Sequence, residues 1–190
     1  GYADYKDMWT VDVFDIFNDS YGVKKNNISK EYIESSEKLK STNRDNIIGI
    51  QSQIWSETIR NENILDYMFM PNIIVFSQKA WSKDPKWMSI QDQTEREITL
   101  NYEWNKFTNS IGQRVLPIVE NIYGGLTYDL PKPGGIIKND SLYANTAFPG
   151  LNIKYTLDGS LPNIESMNYN NPVEIDQDDV IYLRLFDNKG

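Results

Sequence analysis

Between residues 46 and 123 the hydrophobic positions recur in patterns typical of alternating strands and helices. The run "NIIGIQ", residues 46 to 51, is nearly continuous in apolar residues, as in a parallel-sheet strand that is buried on both faces. After it, apolar residues recur every three or four positions, which predicts one helix capped by Asn61 and containing Leu65, Met68, Phe69, Ile73, Phe76 and Ala80. A strand followed by a long helix is a β/α unit.

Two further helices are predicted around this unit. Upstream, "SKEYIESSEKLK" is typical of a short exposed helix capped by Ser29. Downstream, a second apolar stripe comprises Trp104, Phe107, Ile111, Val115, Ile118 and Ile122. Gly124 and Gly125 follow it in the manner of a helix C-cap, and Pro117 predicts a kink within it.

After "YDLPKPGG", residues 128 to 135, the period of the pattern changes from 3.6 to 2, which indicates strands. One alternating run contains Ile153, Tyr155 and Leu157 and leads into an Asp158-Gly159 turn, and another contains Ile181, Leu183 and Leu185. We therefore predict an α/β piece over residues 1–131, with helices to about residue 123, and an all-β domain over residues 132–190.

Composition narrows the possible chemistry. The 190 residues carry a net charge of -8 and include no His and no Cys. An acidic chain without a basic cluster does not suit a phosphate-tracking surface, so we expect no nucleic-acid partner. Without imidazole or thiol groups, acid/base chemistry has to rest on carboxylates, Tyr or Lys, and we expect no metal and no cofactor. No apolar run is long enough to predict a membrane span.

A large aromatic and a carboxylate, Trp55 and Glu57, follow the predicted strand. In a barrel of parallel strands, functional side chains lie where the strands end. In an extended backbone, residues two positions apart project to the same face. An indole that packs on a sugar ring beside a carboxylate that accepts hydrogen bonds from its hydroxyls is typical of a carbohydrate subsite. The structural alternative is that Trp55 is a core residue and that Glu57 caps the next helix.

The sequence also resembles a known family. "GIQSQIWSETIRNENILDYMFMPNIIVFSQKAW", residues 49 to 81, is similar to the last strand, loop and final helix of the catalytic barrel in family-20 glycoside hydrolases, the β-N-acetylhexosaminidases and bacterial chitobiases. "LYANTAFPGLNIKYTLDGSLP", residues 142 to 162, is similar to the immunoglobulin-like C-terminal domain of the chitobiase branch. The resemblance implies the C-terminal segment of a (β/α)8 TIM barrel, with its last strand at about 46–54, followed by a small β-sandwich.

The resemblance assigns roles to the residues of the Q-x-W-x-E motif. It implies that Trp55 forms a wall of the subsite for the terminal N-acetylhexosamine and that Glu57 binds ring hydroxyls, while Gln53 supports the end of the strand. Family members cleave with the acetamido group of the substrate as the nucleophile, assisted by an adjacent Asp-Glu pair. No Asp-Glu dipeptide occurs in this sequence, which therefore resembles the C-terminal third of such an enzyme. Tyr2, Tyr5 and Trp9 are weaker candidates for substrate contact, with buried packing as the alternative.

Two classes of function remain at this point. One is part of an exo-acting β-N-acetylhexosaminidase, whose partners are an N-acetylhexosaminide substrate and the remainder of the catalytic barrel. The other is a non-catalytic carbohydrate-binding or structural β module. The resemblance implies a periplasmic, secreted or cell-surface location. Of the other polar clusters, Asp176, Asp178 and Asp179 lack the spacing of a calcium loop, and we interpret them as a turn.

Overall fold

The computed structural model describes residues 5–15, 29–126, 128 and 130–187. The chain divides into two compact units, Gly1–Asn101 and Tyr102–Gly190. The division falls inside a long helix, upstream of the boundary that we predicted near residue 131. The change of pattern at residue 131 still marks where strands begin, because the first strand starts at Gly134. The domain boundary itself stays a prediction.

The described part of the first unit is built from helices. They are α1 (Tyr5–Thr10), α2 (Lys30–Ser35), α3 (Glu62–Phe69), α4 (Asn72–Trp81) and the start of α5 (Gln93–Ser110), with 3-10 turns at Ser41–Asn46, Ser56–Thr58 and Lys86–Ser89. Helix α1 packs against α4. The buried hydrophobic residues of this unit are Trp9, Val75, Trp87 and Leu100.

The predicted helix caps are confirmed at two positions. Ser29 accepts a hydrogen bond from the amide of Tyr32 and starts the short helix α2. Asn61 accepts one from the amide of Ile64 and starts α3. In both cases the side-chain oxygen satisfies a backbone N–H that has no partner within the helix.

The single helix predicted after Asn61 is wrong in one respect: it is two helices. Helix α3 ends at Phe69 and α4 begins at Asn72, with Pro71 between them. Proline has no backbone N–H, and its ring collides with the carbonyl four residues earlier, so it ends a helix that the apolar spacing alone would continue. The spacing of the apolar residues therefore indicated helical structure correctly but missed the break, and it did not give a buried face in α3, where Leu65 and Phe69 are exposed.

The strand predicted at about 46–54 is absent from the described residues. Residues 47–55 form no strand and no helix, although the backbone is extended where the segment begins at Ile47 and ends at Trp55. A parallel strand needs hydrogen-bonding neighbours, and no strand of the first unit is present in the described residues to provide them. The α/β prediction for this part is therefore not met within the described chain, where the apolar run is extended but unpaired.

The downstream apolar stripe forms one long helical rod with an irregular segment. Helix α5 runs from Gln93 to Ser110, a π-helical segment covers Ile111–Val115, and a short helix α6 covers Leu116–Val119. The π segment ends two residues before Pro117, which cannot make the regular helical hydrogen bond, and the predicted kink itself stays a prediction. Gly124 and Gly125 follow with φ of 91° and 94°, as a glycine C-cap requires.

The second unit contains two three-stranded antiparallel sheets. The strands are β1 (Gly134–Lys138), β2 (Ser141–Asn145), β3 (Asn152–Thr156), β4 (Met167–Asn168), β5 (Val173–Glu174) and β6 (Tyr182–Phe186), and the sheet orders are β1-β2-β5 and β4-β3-β6. The strand predicted around Ile153 and Tyr155 is confirmed as β3, but its burial does not alternate, because Lys154 between these two buried residues is buried as well. Asp176 and Asp179 form the predicted turn, since the amide of Asp176 donates to the Asp179 carboxylate at 2.8 Å.

Close packing within the second unit explains two of its glycines. A Cβ on Gly135 of β1 would lie 2.8 Å from Leu183 of β6, so strands of the two sheets approach closely there. A Cβ on Gly112, in the π segment, would lie 3.0 Å from Leu151, so this segment packs on the loop before β3.

Among the described residues, none of the helices has the length and apolar character that crossing a membrane would require.

Candidate carbohydrate-binding site

Trp55 ends the extended segment and is largely exposed. Its backbone has φ of -83° and ψ of 132°, and 72% of its surface is accessible. The structural alternative, in which Trp55 is a core residue, is therefore wrong for this chain. An indole exposed to this extent provides a flat apolar surface that a ligand can cover.

Glu57 lies in the 3-10 turn Ser56–Thr58, directly after Trp55. Its side chain is exposed, and within the described residues its carboxylate makes no hydrogen bond or ion pair. It does not cap helix α3, because Asn61 has that role. The second half of the structural alternative is therefore also wrong, and the carboxylate oxygens are available as hydrogen-bond acceptors.

Two local contacts hold the turn that carries Glu57 beside helix α3. Thr58 Oγ1 donates to Met68 Sδ at 3.8 Å, and Asn61 Oδ1 accepts from the Ile64 amide at 2.9 Å. The extended backbone stops at Trp55, so the argument that Trp55 and Glu57 share a strand face does not apply to this conformation. What the structure retains is their proximity along the chain, with both side chains exposed.

The weaker candidates differ in their surroundings. Trp9 is buried to 6% exposure, and its ring centroid lies 6.0 Å from that of the fully buried Trp87. The Arg96 guanidinium lies 5.4 Å from the Trp87 ring centroid, which completes a packed aromatic cluster. Trp9 is therefore part of the core of the first unit in this chain. Tyr5 is half-buried at the start of α1, and Tyr2 lies outside the described residues.

Trp55 and Glu57 line neither of two cavities, one in each unit. One, of about 260 Å³, is formed in the first unit by Trp9, Phe14, residues 47–50 and the end of α4. A larger cleft of about 920 Å³ is formed in the second unit by Tyr128, residues 130–133, β1 and β6. The predicted subsite residues thus lie on an open surface.

Sequence reasoning missed a polar cluster in the second unit. The Tyr128 hydroxyl lies 2.5 Å from Glu120 Oε1 and 2.9 Å from Asp187 Oδ2. Burial, reinforced by hydrogen bonds to these two carboxylates, raises the pKa of Tyr128 far above its usual value. Asp187 lies 59 positions after Tyr128, and the three residues share no motif, so no local signal links them. No group of three metal-ligating side chains is present in the part of the chain that the structure describes.

Comparison with known proteins matches both parts of the chain. Residues 3–84 match the catalytic domain of glycosyl hydrolase family 20, and residues 120–190 match the chitobiase/beta-hexosaminidase C-terminal domain. N,N'-diacetylchitobiase of Vibrio harveyi is 34% identical over an alignment of 120 residues, and the alignment covers 58% of this chain and 13% of that protein. Beta-hexosaminidase of Vibrio vulnificus is 33% identical over an alignment of 128 residues, which covers 59% of this chain and 15% of that protein.

The chain therefore spans less than a sixth of the length of these relatives. The catalytic-domain match includes Trp55 and Glu57, and the C-terminal-domain match includes all six strands. The predicted resemblance is confirmed: the chain carries one segment similar to the catalytic domain of glycosyl hydrolase family 20 and one similar to the chitobiase/beta-hexosaminidase C-terminal domain.

Proposed function

We propose that the chain is part of an exo-β-N-acetylhexosaminidase that hydrolyses terminal N-acetylhexosamine, GlcNAc or GalNAc, from chitooligosaccharides or glycans. The observation that carries the proposal is the exposed Trp55 beside an exposed and unengaged Glu57, inside the segment that matches the family 20 catalytic domain. The names of the relatives, a diacetylchitobiase and a beta-hexosaminidase, support the same substrate class.

In the proposed subsite the two side chains have separate roles. The Trp55 indole packs on the apolar face of the pyranose ring and excludes water from that side. The Glu57 carboxylate accepts hydrogen bonds from neighbouring ring hydroxyls, and its charge strengthens them. Neither group donates the proton to the leaving group. The chain's contribution to the reaction is therefore to hold and orient the terminal sugar.

The proposed fold of the active enzyme is a TIM barrel followed by an immunoglobulin-like β-sandwich. Residues at about 46–54 are proposed as its last barrel strand, and they pair when the remainder of the barrel provides neighbouring strands. The exposure of Ile48, 98%, supports this, because an apolar residue in that position is unfavourable until another surface covers it. The two small antiparallel sheets support the sandwich.

The proposed mechanism is substrate-assisted and retains the anomeric configuration. The acetamido oxygen of the substrate attacks the anomeric carbon, while an adjacent Asp-Glu pair orients the acetamido group and protonates the leaving oxygen. This scheme differs from that of glycosidases in which two enzyme carboxylates act as nucleophile and acid. No Asp-Glu dipeptide occurs in the chain, so we expect that the 190 residues alone do not hydrolyse a chromogenic N-acetylglucosaminide.

The test is Glu57→Gln in the full-length natural protein, assayed on a chromogenic N-acetylglucosaminide. Loss of a charged hydrogen-bond acceptor should lower kcat/KM by about 10- to 150-fold, the equivalent of about 1.5 to 3 kcal/mol. Trp55→Ala should lower it at least as much, because stacking area is lost. The pH optimum should not move, since neither residue is the proton donor.

Glu62→Gln is the matched control, because Glu62 is an exposed carboxylate in the first turn of α3, five residues beyond Glu57. Its kcat/KM should equal that of the unmodified enzyme. If Glu57→Gln and Glu62→Gln have the same kcat/KM, the sugar-binding role of Glu57 is refuted. Turnover by the 190-residue chain, after a contamination control, would contradict the expectation that this chain binds the sugar but does not catalyse its hydrolysis alone.

A further inference from the structure

The larger cleft of the second unit follows the free edge of strand β6. In the sheet β4-β3-β6, this strand pairs with β3 on one side only. Every residue from Ile181 to Asp187 lines the cleft, although successive side chains of a strand project to opposite faces. The cleft therefore receives side chains from both faces of β6 as well as the unpaired edge of its backbone.

A second wall of the cleft is formed by residues 130–133, which lead into β1. Pro131 and Pro133 in this wall have no backbone N–H, so the segment cannot pair with the edge of β6 as a regular strand. Gly135 of β1 and Leu183 of β6 also line the cleft, and a Cβ on Gly135 would lie 2.8 Å from Leu183, so the two strands touch there. The volume of about 920 Å³ lies within the range of small-molecule sites, about 300 to 1,000 Å³.

Side chains at this cleft combine ring surfaces with hydrogen-bond donors that have no partner. Tyr182, Arg184 and Phe186 alternate along β6 and so share one face of the strand. Tyr182 is 43% exposed, and the Arg184 guanidinium lies 5.0 Å from the Phe186 ring centroid. Within the described residues, neither the Arg184 guanidinium nor the ammonium of Lys132, in the second wall, forms a hydrogen bond or an ion pair.

These donors limit the kind of ligand that suits the cleft. Arginine and lysine side chains donate hydrogen bonds and accept none, so the ligand has to provide acceptor oxygens. An acetamido carbonyl is such an acceptor, whereas a hydroxyl also has a proton that needs an acceptor of its own. The Asp187 carboxylate lines the same cleft, and its negative charge disfavours an anionic sugar.

We propose that this cleft is a second, non-catalytic saccharide site that binds a neutral oligosaccharide of N-acetylhexosamines. The Tyr182 ring packs on the apolar face of one pyranose, while Arg184 and Lys132 donate to acetamido and hydroxyl oxygens. The choice of N-acetylhexosamine rests on the proposed function. The cleft itself includes neither Trp55 nor Glu57.

The experiment is a titration of the ¹⁵N-labelled 190-residue chain, followed by amide chemical shifts. The ligands are chitotriose, cellotriose, which has no acetamido groups, and a short peptide of alternating Thr and Val. We expect saturable shifts at Tyr182, Leu183 and Arg184 with chitotriose, about tenfold weaker binding of cellotriose, and no saturable shift at these amides with the peptide. Trp55→Ala should leave the shifts along β6 unchanged.

Three substitutions test the roles of the side chains. Tyr182→Ala should weaken binding of chitotriose about tenfold, whereas Tyr182→Phe, which keeps the ring, should bind nearly as tightly as the unmodified chain. Arg184→Gln should reduce the preference for chitotriose over cellotriose, because it loses the charged donors for the acetamido oxygen. Tyr143→Ala is the matched control: Tyr143 is 42% exposed in the other sheet, does not line the cleft, and should not affect binding.

The results separate this site from the subsite of the proposed function. Shifts at Trp55 and Glu57 without shifts along β6 would overturn the cleft site and leave the proposed function standing. Shifts along β6 with none at Trp55 and Glu57 would support the cleft and count against the proposed subsite.

Three further results would overturn the proposal. Equal affinity of Tyr182→Ala and the unmodified chain for chitotriose would exclude stacking on this ring. Equal affinity for chitotriose and cellotriose would exclude recognition of the acetamido group. Binding of the peptide along β6 without binding of chitotriose would assign the free edge to strand addition instead.

Discussion

The side chain of Asn61 accepts a hydrogen bond from the amide of Ile64 at 2.9 Å and thereby caps the helix that follows the Trp55-Glu57 turn. The first N–H groups of a helix have no partner within the helix, and the side-chain oxygen of a nearby Asn, Asp, Ser or Thr often accepts a hydrogen bond from one of them. Because Asn61 is the residue that does so here, Glu57 has no structural task at this helix. We therefore expect Asn61 to contribute to stability and Glu57 to contribute to sugar binding.

The first prediction follows from that separation. Asn61→Ala should lower the free energy of unfolding by about 1 kcal/mol, the usual cost of losing an N-cap. Glu57→Gln should leave it unchanged, because the carboxylate is exposed and makes no hydrogen bond within the described residues. Urea denaturation of both variants of the 190-residue chain measures the difference. A larger loss for Glu57→Gln than for Asn61→Ala would restore a structural role for Glu57.

The second prediction concerns the apolar surface of the first unit. Ile48 and Trp81 are 98% and 90% exposed, and they should promote binding of a hydrophobic fluorescent dye and self-association. Ile48→Ser combined with Trp81→Ser should reduce both signals, measured by dye fluorescence and light scattering. Ile164→Ser, at a less exposed apolar residue in a turn of the second unit, is the control and should have a smaller effect. A monodisperse chain that binds no dye would contradict the proposal that a further barrel surface covers these residues.

Local signals predicted much of the secondary structure. Ser29 and Asn61 were identified as helix caps because their side chains act on amides only three residues away. The alternating apolar residues Ile153 and Tyr155 predicted the strand β3, although Lys154 between them is buried as well. In each case the pattern and its cause lie within a few residues of each other.

The errors come from effects that apolar spacing does not contain. The break at Pro71 follows from a missing N–H, which the periodicity of neighbouring side chains cannot register. The apolar run at 47–50 has the composition of a buried strand, but pairing requires partner strands, and the described residues of the first unit contain none. The composition of this segment therefore indicated that it suits a buried environment. The hydrogen bonds that would make it a strand depend on other residues.

The candidate sites differ in the same way. Trp55 and Glu57 belong to one short motif and were found from sequence, whereas their exposure and the turn at Ser56 required the structure. The Tyr128 cluster, in contrast, joins a hydroxyl to the Asp187 carboxylate 59 positions away. Such a contact is determined by the packing of whole elements, so no local pattern in the sequence reveals it.

The third prediction tests the packing of the loop before β3 on the end of α5 and on the π segment. Gly150 has φ of 94°, and a Cβ on it would meet the Asn109 side chain and lie 2.9 Å from Gln113 Nε2. Gly150→Ala should therefore be strained in its backbone and also collide with α5 and the π segment. Gly124→Ala is the control, because Gly124 has φ of 91° and open space around its Cβ.

Both substitutions should lower the melting temperature, since alanine is unfavourable at positive φ. Gly150→Ala should lower it more, by a further amount equivalent to about 1 to 3 kcal/mol, the usual cost of overpacking. Thermal unfolding of the two variants measures the difference directly. Equal melting temperatures would mean that the loop at Gly150 moves away from the helical rod without cost, which would contradict close packing there.

The last prediction concerns Tyr128, whose hydroxyl joins Glu120 to Asp187. Burial and the two carboxylates raise its pKa above the value of about 10 that an unfolded chain has. A group whose pKa is raised by folding contributes stability that is fully present below the unfolded pKa and is lost as the pH rises through the folded pKa. The hydroxyl should therefore stabilise the fold at pH 7 and progressively less above about pH 10.

Tyr128→Phe removes this contribution and keeps the ring. At pH 7 the variant should be less stable than the unmodified chain by about 1 to 3 kcal/mol, because two carboxylates lose their shared donor. As the pH rises beyond about 10, the difference between the two chains should shrink, since the unmodified chain loses what the variant already lacks. Tyr102→Phe, at an exposed tyrosine of α5, is the control for general alkaline effects and should show no such convergence. Urea denaturation of all three chains across this pH range measures these differences. If the stability difference between Tyr128→Phe and the unmodified chain stays constant or grows with pH, the prediction that the pKa of this hydroxyl is raised by folding is refuted.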